Sequence, residues 1–503
     1  MKSALPGICF ICLLLPMGWH GTLGAQSIPF IDPPGIVSNN TSTGDGANSW
    51  GGHQCSIVRS TSGEIFTVYT IAGSSDLNRI FRLAVKEGDD WVVIAEGESG
   101  REPAQLLIAP DNRLFVVCWL DGSPRIWISD TAGRNFSSSA IPGDWNPNDN
   151  WPYLSAGIDQ TGRLFVLASG GGKPGYFKIA FRDLQTGEWS AVKKIPLDYR
   201  YCYTYLIPRD DDGLYMASLR DVLWSDLGYE QPAASFDYCF NAVKSWYSPQ
   251  ITDMEFAEIL VHEEEPEPLY PQPDISFNYN GDFYVDTHHR THVICPVTGA
   301  STGGKICLAH YIYDGKDFII STDLPAGIKN CRLIQNEDGK FFLITFSQAQ
   351  LALYPASDAN GLVLESPWLF DLAGHEVRYS NLHLAAPRCG VPLSGEVDLV
   401  YPSGVSSNEW IHVRLHLSEG GPSDTLLVTK KEIRIFPVPV DQTLHIQGLD
   451  DSGDIALYDM RGIRVFYREN VSDQVDIGSL APGSYILQLK SKRELIHRLI
   501  IKH

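Results

Sequence analysis

The chain has 503 residues, 44% of them hydrophobic and 20% charged, and a formal net charge of -21. Such a composition is globular, neither disordered nor membrane-like, and the length suits two or three domains or one large β architecture with an appendage. The acidic balance argues against nonspecific nucleic-acid binding, which needs a basic face, yet permits an anionic polysaccharide in a locally basic groove.

At the amino end Lys2, the apolar run "ICFICLLLPM" and the small-residue stretch "GTLGAQS" form an export signal spanning residues 1–25, with cleavage expected after Ala25. The apolar run is too short to cross a bilayer, and no later stretch looks transmembrane. The mature protein is therefore expected to be soluble, monomeric, and secreted or held at the cell surface. Cys9 and Cys12 leave with the signal, and eight cysteines remain. An oxidising compartment permits disulfides, but a chain this long does not need them to fold. Several should pack as small apolar residues inside strands.

Residues 26–429 carry one recurring pattern: a β-run, a turn residue, then a second β-run ending in aromatics. It reads "HQCSIVRSTSGEIFTVYTIA", "PAQLLIAPDNRLFVVCWLDG", "YLSAGIDQTGRLFVLASGGG" and "YTYLIPRDDDGLYMASLRDV", then "QPDISFNYNGDFYVDTHHRT", "CRLIQNEDGKFFLITFSQAQ" and "RCGVPLSGEVDLVYPSGV". The expected turn residues are Gly63, Asn112, Gly162, Gly213, Gly281, Gly339 and Gly395, because such hairpins require φ > 0. Third strands follow, as in "RIFRLAVKEGDDW", "RIWISDTAGRNF", "YFKIAFRDLQTGEW" and "ICLAHYIYDGKDF". Strand, turn, strand and strand at a period of about fifty residues predicts an all-β fold, a seven-bladed β-propeller. An insertion of about 223–273 lengthens one step and contains the acidic, proline-rich "HEEEPEPLYPQP", a solvated surface connection. "SDTAGRNF" resembles a degenerate Asp-box, the structural turn motif of sialidase-type (BNR) propellers.

Residues 430–503 change character. "IRIFPVPVDQTLHIQG", "IALYDMRGIRVFY", "VDIGSLAPGSYILQL" and "HRLIIKH" alternate like the strands of a small β-sandwich. In order, they resemble the C-terminal sorting domain of the type IX secretion system of Bacteroidetes, through Phe436-Pro437-Val438-Pro439, "LYDMRG" and "LAPGSYIL". Phe436 and Val438 depart from the family's usual Tyr-Pro-Asn-Pro start. The resemblance implies outer-membrane translocation by the type IX machinery, removal of the tail, and release or surface attachment.

Across residues 45 to 420 the propeller resembles the BNR-type family that includes the ulvan lyases. The likeness rests on "GGHQCSIV", "YCYTYLIPRDDDGLYMASLR" and "SPQITDMEFAEIL". It implies β-elimination at a uronic acid of an acidic polysaccharide. That reaction needs a group to neutralise the carboxylate, a base to take the adjacent proton and an acid for the leaving oxygen. Carried over by position, Arg220 would neutralise, Tyr203 or Tyr205 would act as base or acid, and His53 would be the partner. Tyr203 and Tyr205 share a strand face at period two, so pattern does not choose between them. The family's second histidine, on the strand after the first turn, is missing from "IFTVYTIAGSSD", and His289 is the candidate replacement. The alternatives are a glycan-binding propeller without catalysis and a glycoside hydrolase on the same fold.

"DTHHRTHVIC" concentrates His288, His289, His292 and Cys295, with Cys307 following across a glycine-rich loop. The cluster is expected at the end of the second strand of its blade. His292, Cys295 and Cys307 are ligands suited to a structural zinc ion; a Cys295–Cys307 disulfide, or two free thiols, are the competing readings. "LASGGGKPG" lacks phosphate-loop spacing.

Overall fold

The computed structural model of the protein describes residues 28–43, 48, 50–75, 77–145, 151–209, 212–321, 330–346, 349–377, 382–404, 408–417, 434–436, 442–447, 452–459, 464–490 and 495–502. The expected export signal, and Pro437, Val438 and Pro439 of the tail, lie outside them.

Seven antiparallel sheets follow one another along the chain, each a meander running outward from a short inner strand. Blade 1 comprises Ile57–Arg59, Ile65–Ser75, Asn78–Glu87 and Asp90–Ser99; blade 2 comprises Gln105–Ile108, Leu114–Leu120, Ser123–Ser129 and Phe136–Ala140. Blade 3 comprises Ser155–Ile158, Arg163–Gly171, Gly175–Asp183 and Lys193–Leu197. Blade 4 comprises Tyr201–Pro208, Leu214–Arg220, Ala242–Ser248 and Ala257–Glu263. In blade 5 an interrupted inner strand, Asp274–Ile275 and Asp282–Val285, pairs with Thr291–Thr298, followed by Cys307–Tyr313 and Phe318–Ser321. Blade 6 comprises Cys331–Gln335, Phe341–Phe346, Gln350–Pro355 and Trp368–Asp371. Blade 7 is composite: His383–Leu384, Glu396–Ser403 and Glu409–His416 are completed by Phe30–Ile31 and Gly35–Ser38 from the start of the chain. The fold is a seven-bladed propeller whose ring is closed by its own N-terminal strands.

That closure is reinforced electrostatically. His416 lies 3.1 Å from Asp32 and stacks on Phe30, while buried Asp398 takes His412 at 3.0 Å and Arg414 at 2.9 Å. Arg59 of blade 1 pairs with Glu396 of blade 7 at 2.6 Å.

One turn motif explains the repeat. In four blades the first residue of the inner hairpin turn accepts, through its side chain, the N–H four residues on: Ser60 from Glu64, Asp159 from Arg163, Asp286 from Arg290 and Asn336 from Lys340. The residue before that N–H takes the left-handed conformation: Gly63, Asn112, Gly162, Asp212, His289 and Gly339. Three expectations change here. In blade 4 the left-handed residue is Asp212 (φ 69°), not Gly213. In blade 5 it is His289 (φ 63°), not Gly281. Gly281 is a glycine for closeness: an added Cβ would sit 2.6 Å from the Ile294 carbonyl oxygen and 3.0 Å from Phe277. In blade 7 the inner strand turns through the short helix Pro387–Cys389, and Gly395 does not take the left-handed conformation.

The expected insertion shrinks too. Ala242–Ser248 and Ala257–Glu263 are the third and fourth strands of blade 4, so the extra element between strands two and three is the small Val222–Leu223/Tyr238–Cys239 hairpin. In the Asp-box-like turn of blade 2, Asp130 accepts from Arg134 N–H and Asn135, with Gly133 left-handed.

In the tail, Arg434–Phe436, Thr443–Gln447 and Gln474–Asp476 form one sheet, and Arg464–Val471, Gly453–Asp459, Gly483–Lys490 and Leu495–Lys502 another. Leu444, Ile455, Leu457, Leu487 and Ile500 are among its buried core, as the alternation predicts.

Candidate functional site

Counting seven residues back from each left-handed turn residue reaches one position on the inner strands: Ser56, Gln105, Ser155, Tyr205, Asp282 and Arg332, all buried and polar or phenolic. Most reach across a seam to the next blade's backbone, because a buried polar group must find a partner. Gln105 Nε2 donates to the Leu154 carbonyl at 2.5 Å, Tyr205 Oη to Gly281 at 3.0 Å and Arg332 Nε to Leu382 at 2.9 Å. Asp282 accepts from Leu333 N–H at 2.8 Å. Blade 7 contributes His383, 3.3 Å from the Gln54 carbonyl.

Over this layer folds the segment Gly51-Gly52-His53. Gly52 cannot be larger: a Cβ there would lie 2.4 Å from the Tyr205 hydroxyl and 2.7 Å from Arg332 Nη2. Its carbonyl accepts from Arg388 at 2.7 Å. His53 is thereby held 1% exposed, with ring centroids 5.8 Å from Tyr203 and 6.4 Å from Tyr205. Neither ring nitrogen has a hydrogen-bond partner of good geometry. Burial first, then the positive field of Arg388 and neighbouring His383, lowers its pKa to about 3. Burial, with Asp221 nearby, raises the Tyr203 hydroxyl well above its usual range.

Tyr203 and Tyr205 do end on the same side of their blade, but not by simple alternation. The register shifts between Cys202 and Tyr205, and Tyr203 sits in that bulge at φ 58°. The bulge turns Tyr203 toward an aromatic rim made by the segments that lead into the inner strands. Trp50 lies 6.2 Å from Tyr203, Tyr153 5.1 Å and Tyr279 6.4 Å. Tyr153 is also left-handed (φ 47°), and Glu102 accepts from its N–H and that of Leu154, each at 2.8 Å. Arg200, ion-paired with Asp221 at 3.2 Å, lies between the rings of Tyr153 and Tyr238.

His53, Tyr203 and Tyr205 are therefore brought together; Arg220 is not among their contacts. It is buried against Tyr199 and Tyr201, 2.5 Å from Glu263 and 3.4 Å from Asn241. Tyr201 faces Arg220 directly across the strand pair and belongs to the cluster on the side of Phe177 and Trp246, away from Tyr203. His289 occupies the inner hairpin turn of blade 5, at the end of the blade opposite the segments carrying His53 and Tyr203. That position leaves no route for it to stand in for a second catalytic histidine.

The remaining cluster residues also separate. Asp286-Thr287-His288-His289-Arg290 is the inner hairpin turn itself, not the end of the second strand. His292 lies between His310 (2.9 Å) and Asp286 (3.2 Å). Cys295, three residues along the same strand, points to the opposite face and is buried among apolar residues. Cys307 pairs with Val297 while Cys295 pairs with Ala309, and both thiols are free. The three residues thus do not fit a common zinc ion, and among the described residues no group of three or more His, Cys, Asp or Glu is placed to hold a metal. Seven of the eight described cysteines are buried, as small apolar residues would be.

Sequence reasoning missed Trp50, Tyr153, Trp151, Arg101, Arg332, His383 and Arg388. The signal for the first three was present as aromatics in "SWGGH" and "NWPYL", each just ahead of an inner strand.

Residues 434–502 match the family described as secretion system C-terminal sorting domain. This tail marks the chain for export by the type IX machinery to the cell surface or beyond. No curated protein is significantly similar in sequence. Among solved structures, polysaccharide lyase Uly1 is 11% identical with a TM-score of 0.51, covering 78% of this chain and 100% of that one. The β-propeller domain of the Trilobed protease from Pyrococcus furiosus is 13% identical with a TM-score of 0.39, covering 78% and 99%. PorZ, a surface component of the type IX secretion system of Porphyromonas gingivalis, is 13% identical with a TM-score of 0.39, covering 92% and 60%. At these identities the likeness is one of fold.

Proposed function

We propose that this exported propeller acts on an acidic polysaccharide, as a lyase that eliminates across a uronic acid unit. The reading rests on the meeting of His53 and Tyr203, 5.8 Å apart between ring centroids, beneath an aromatic rim. With its pKa near 3, His53 is a neutral imidazole at neutral pH and can accept the proton from the carbon beside the carboxylate. With its pKa raised, Tyr203 keeps its proton and can deliver it to the leaving glycosidic oxygen. The carbon–oxygen bond breaks as the carbon–carbon double bond forms, and proton return from His53 to Tyr203 resets the pair. An arriving carboxylate offsets the positive field of Arg388 and so raises the basicity of His53 toward what the step needs.

Two observations favour binding without chemistry: His53 is almost wholly buried, and the strand Ile65–Ser75 offers no second histidine. Ultraviolet absorbance separates the two, since elimination leaves a conjugated double bond. On uronate-rich polysaccharides the wild type should generate it, and Tyr203→Phe should lose at least about a hundredfold in rate. Binding without absorbance leaves the glycan-binding reading, and new reducing ends without absorbance point to hydrolysis.

A further inference from the structure

Arg101 leads into blade 2, and its guanidinium carbon lies 3.5 Å from the ring centroid of Trp151. Trp151 in turn stacks on Trp50 at 4.6 Å with the planes 14° apart. Trp50 is the residue that touches Tyr153 and Tyr203, each at 6.2 Å. A layered column, guanidinium on indole on indole, therefore runs from the rim to the edge of the His53–Tyr203 pair.

Among the described residues, two donors in this column lack acceptors: Arg101 Nε and Trp50 Nε1 are buried without a hydrogen-bond partner. Arg101 has no carboxylate partner among the described residues. The adjacent Glu102 does not serve, because both its oxygens are held by the Tyr153 and Leu154 amides. Other arginines nearby are committed: Arg200 to Asp221, Arg220 to Glu263, Arg388 to the Gly52 and Gln54 carbonyls, and Arg332 to four carbonyls. A guanidinium lying over an aromatic face keeps its in-plane N–H groups clear of the ring, the arrangement that forks onto a planar carboxylate. Stacking also fixes the side chain in advance, so little rotamer freedom is lost when an anion docks.

We infer that Arg101, held by Trp151 and Trp50, is the anion-binding arm of a subsite for an acidic sugar unit flanking the one at His53 and Tyr203. The inference rests on the polysaccharide reading above and concerns the neighbouring unit, not the one that would react at His53 and Tyr203. The ligand class is a uronate carboxylate presented by a neighbouring unit of the same polymer chain. A sulfate ester has similar chemistry and is separated from it by the test.

The test measures affinity by calorimetry for uronate oligosaccharides from polyglucuronate, alginate and ulvan, each beside its carboxyl-reduced counterpart. The wild type should prefer the carboxylated form. Arg101→Gln should weaken that form about tenfold or more, leave the reduced form unchanged and melt as the wild type does. Arg101→Lys, which keeps charge but not the fork, should fall between. If the wild type discriminates and Arg101→Gln discriminates equally, this inference falls while the polysaccharide reading stands. Equal loss for both forms assigns Arg101 a packing role and also overturns it. An Arg101 effect that persists on carboxyl-reduced ulvan transfers the contact to sulfate and overturns the carboxylate assignment. A wild type that binds none of the carboxylated chains overturns both readings.

Discussion

Mild acid should destabilise this propeller well above the pH at which its carboxylates titrate, and the reason is the pair of buried imidazoles near its axis. His53 and His383 each have a pKa lowered to about 3, by burial first and then by the positive charges of Arg388 and Arg332. An unfolded chain returns each to about 6.5. Between these values the unfolded state binds protons that the folded state refuses, so stability falls as pH falls, beginning near pH 6.5 and continuing to about 3. One refused proton costs about 1.4 kcal/mol per pH unit. From pH 6.5 to 5 this amounts to about 2 kcal/mol for each histidine and about 4 kcal/mol for the two. His292, His310 and His412 are depressed by burial as well and steepen the same slope. Against a total stability of about 5–15 kcal/mol, that loss is large. Urea titrations at pH 7.5, 6.5, 5.5 and 5 measure it directly. His53→Gln and His383→Gln should each remove about one proton's worth of slope. A stability that stays flat between pH 6.5 and 5, or variants that keep the wild-type slope, would refute the argument.

His289→Gly should alter stability by no more than about 0.5 kcal/mol, because relief of a left-handed non-glycine residue is offset by the freedom glycine gains on unfolding. Turnover measured by absorbance should not change, and a loss would restore a catalytic claim for this residue. Arg220→Met should lower stability by about 1–3 kcal/mol in a urea titration, since it strands half-buried Glu263, yet leave polysaccharide affinity as it was.

The repeat was legible because six blades spell closely similar hairpins, and hairpin geometry is local: a left-handed residue, in four of them a side-chain acceptor before it, then the second strand. What misled was taking glycine as the marker of that left-handed position. In blade 5 the turn is Asp286-Thr287-His288-His289-Arg290, and it superimposes in role on Asp159-Gln160-Thr161-Gly162-Arg163, including the accepted N–H of Arg290 and Arg163. Arginine closes both turns, its Nε donating to Asp286 and Asp159 respectively. Asparagine, aspartate and histidine are the residues that best tolerate positive φ after glycine, so the imidazole at this turn has a conformational explanation that precedes any catalytic one.

Re-anchoring the repeat on those residues changes what the sequence says about the site. Moving the reference from Gly213 to Asp212 and from Gly281 to His289 brings Tyr205 and Asp282 into line with Gln105, Ser155 and Arg332 as one inter-blade position. Moving two residues further back brings Tyr153 and Tyr203 into line, both left-handed, both on the rim. The difference between the two tyrosines of blade 4 then follows from position. Tyr205 is one of the seam residues whose hydroxyl is committed to Gly281, whereas Tyr203 belongs to the layer that meets His53 and the indoles. No local pattern reveals the second layer fully, because Arg101, Trp151 and Trp50 come from segments before three different blades and stack only once those blades pack side by side. The N-terminal strands complete blade 7, tied to it through Asp32–His416; blade 7 in turn meets blade 1 through Arg59–Glu396 and reaches the segment after His53 through His383 and the Gln54 carbonyl.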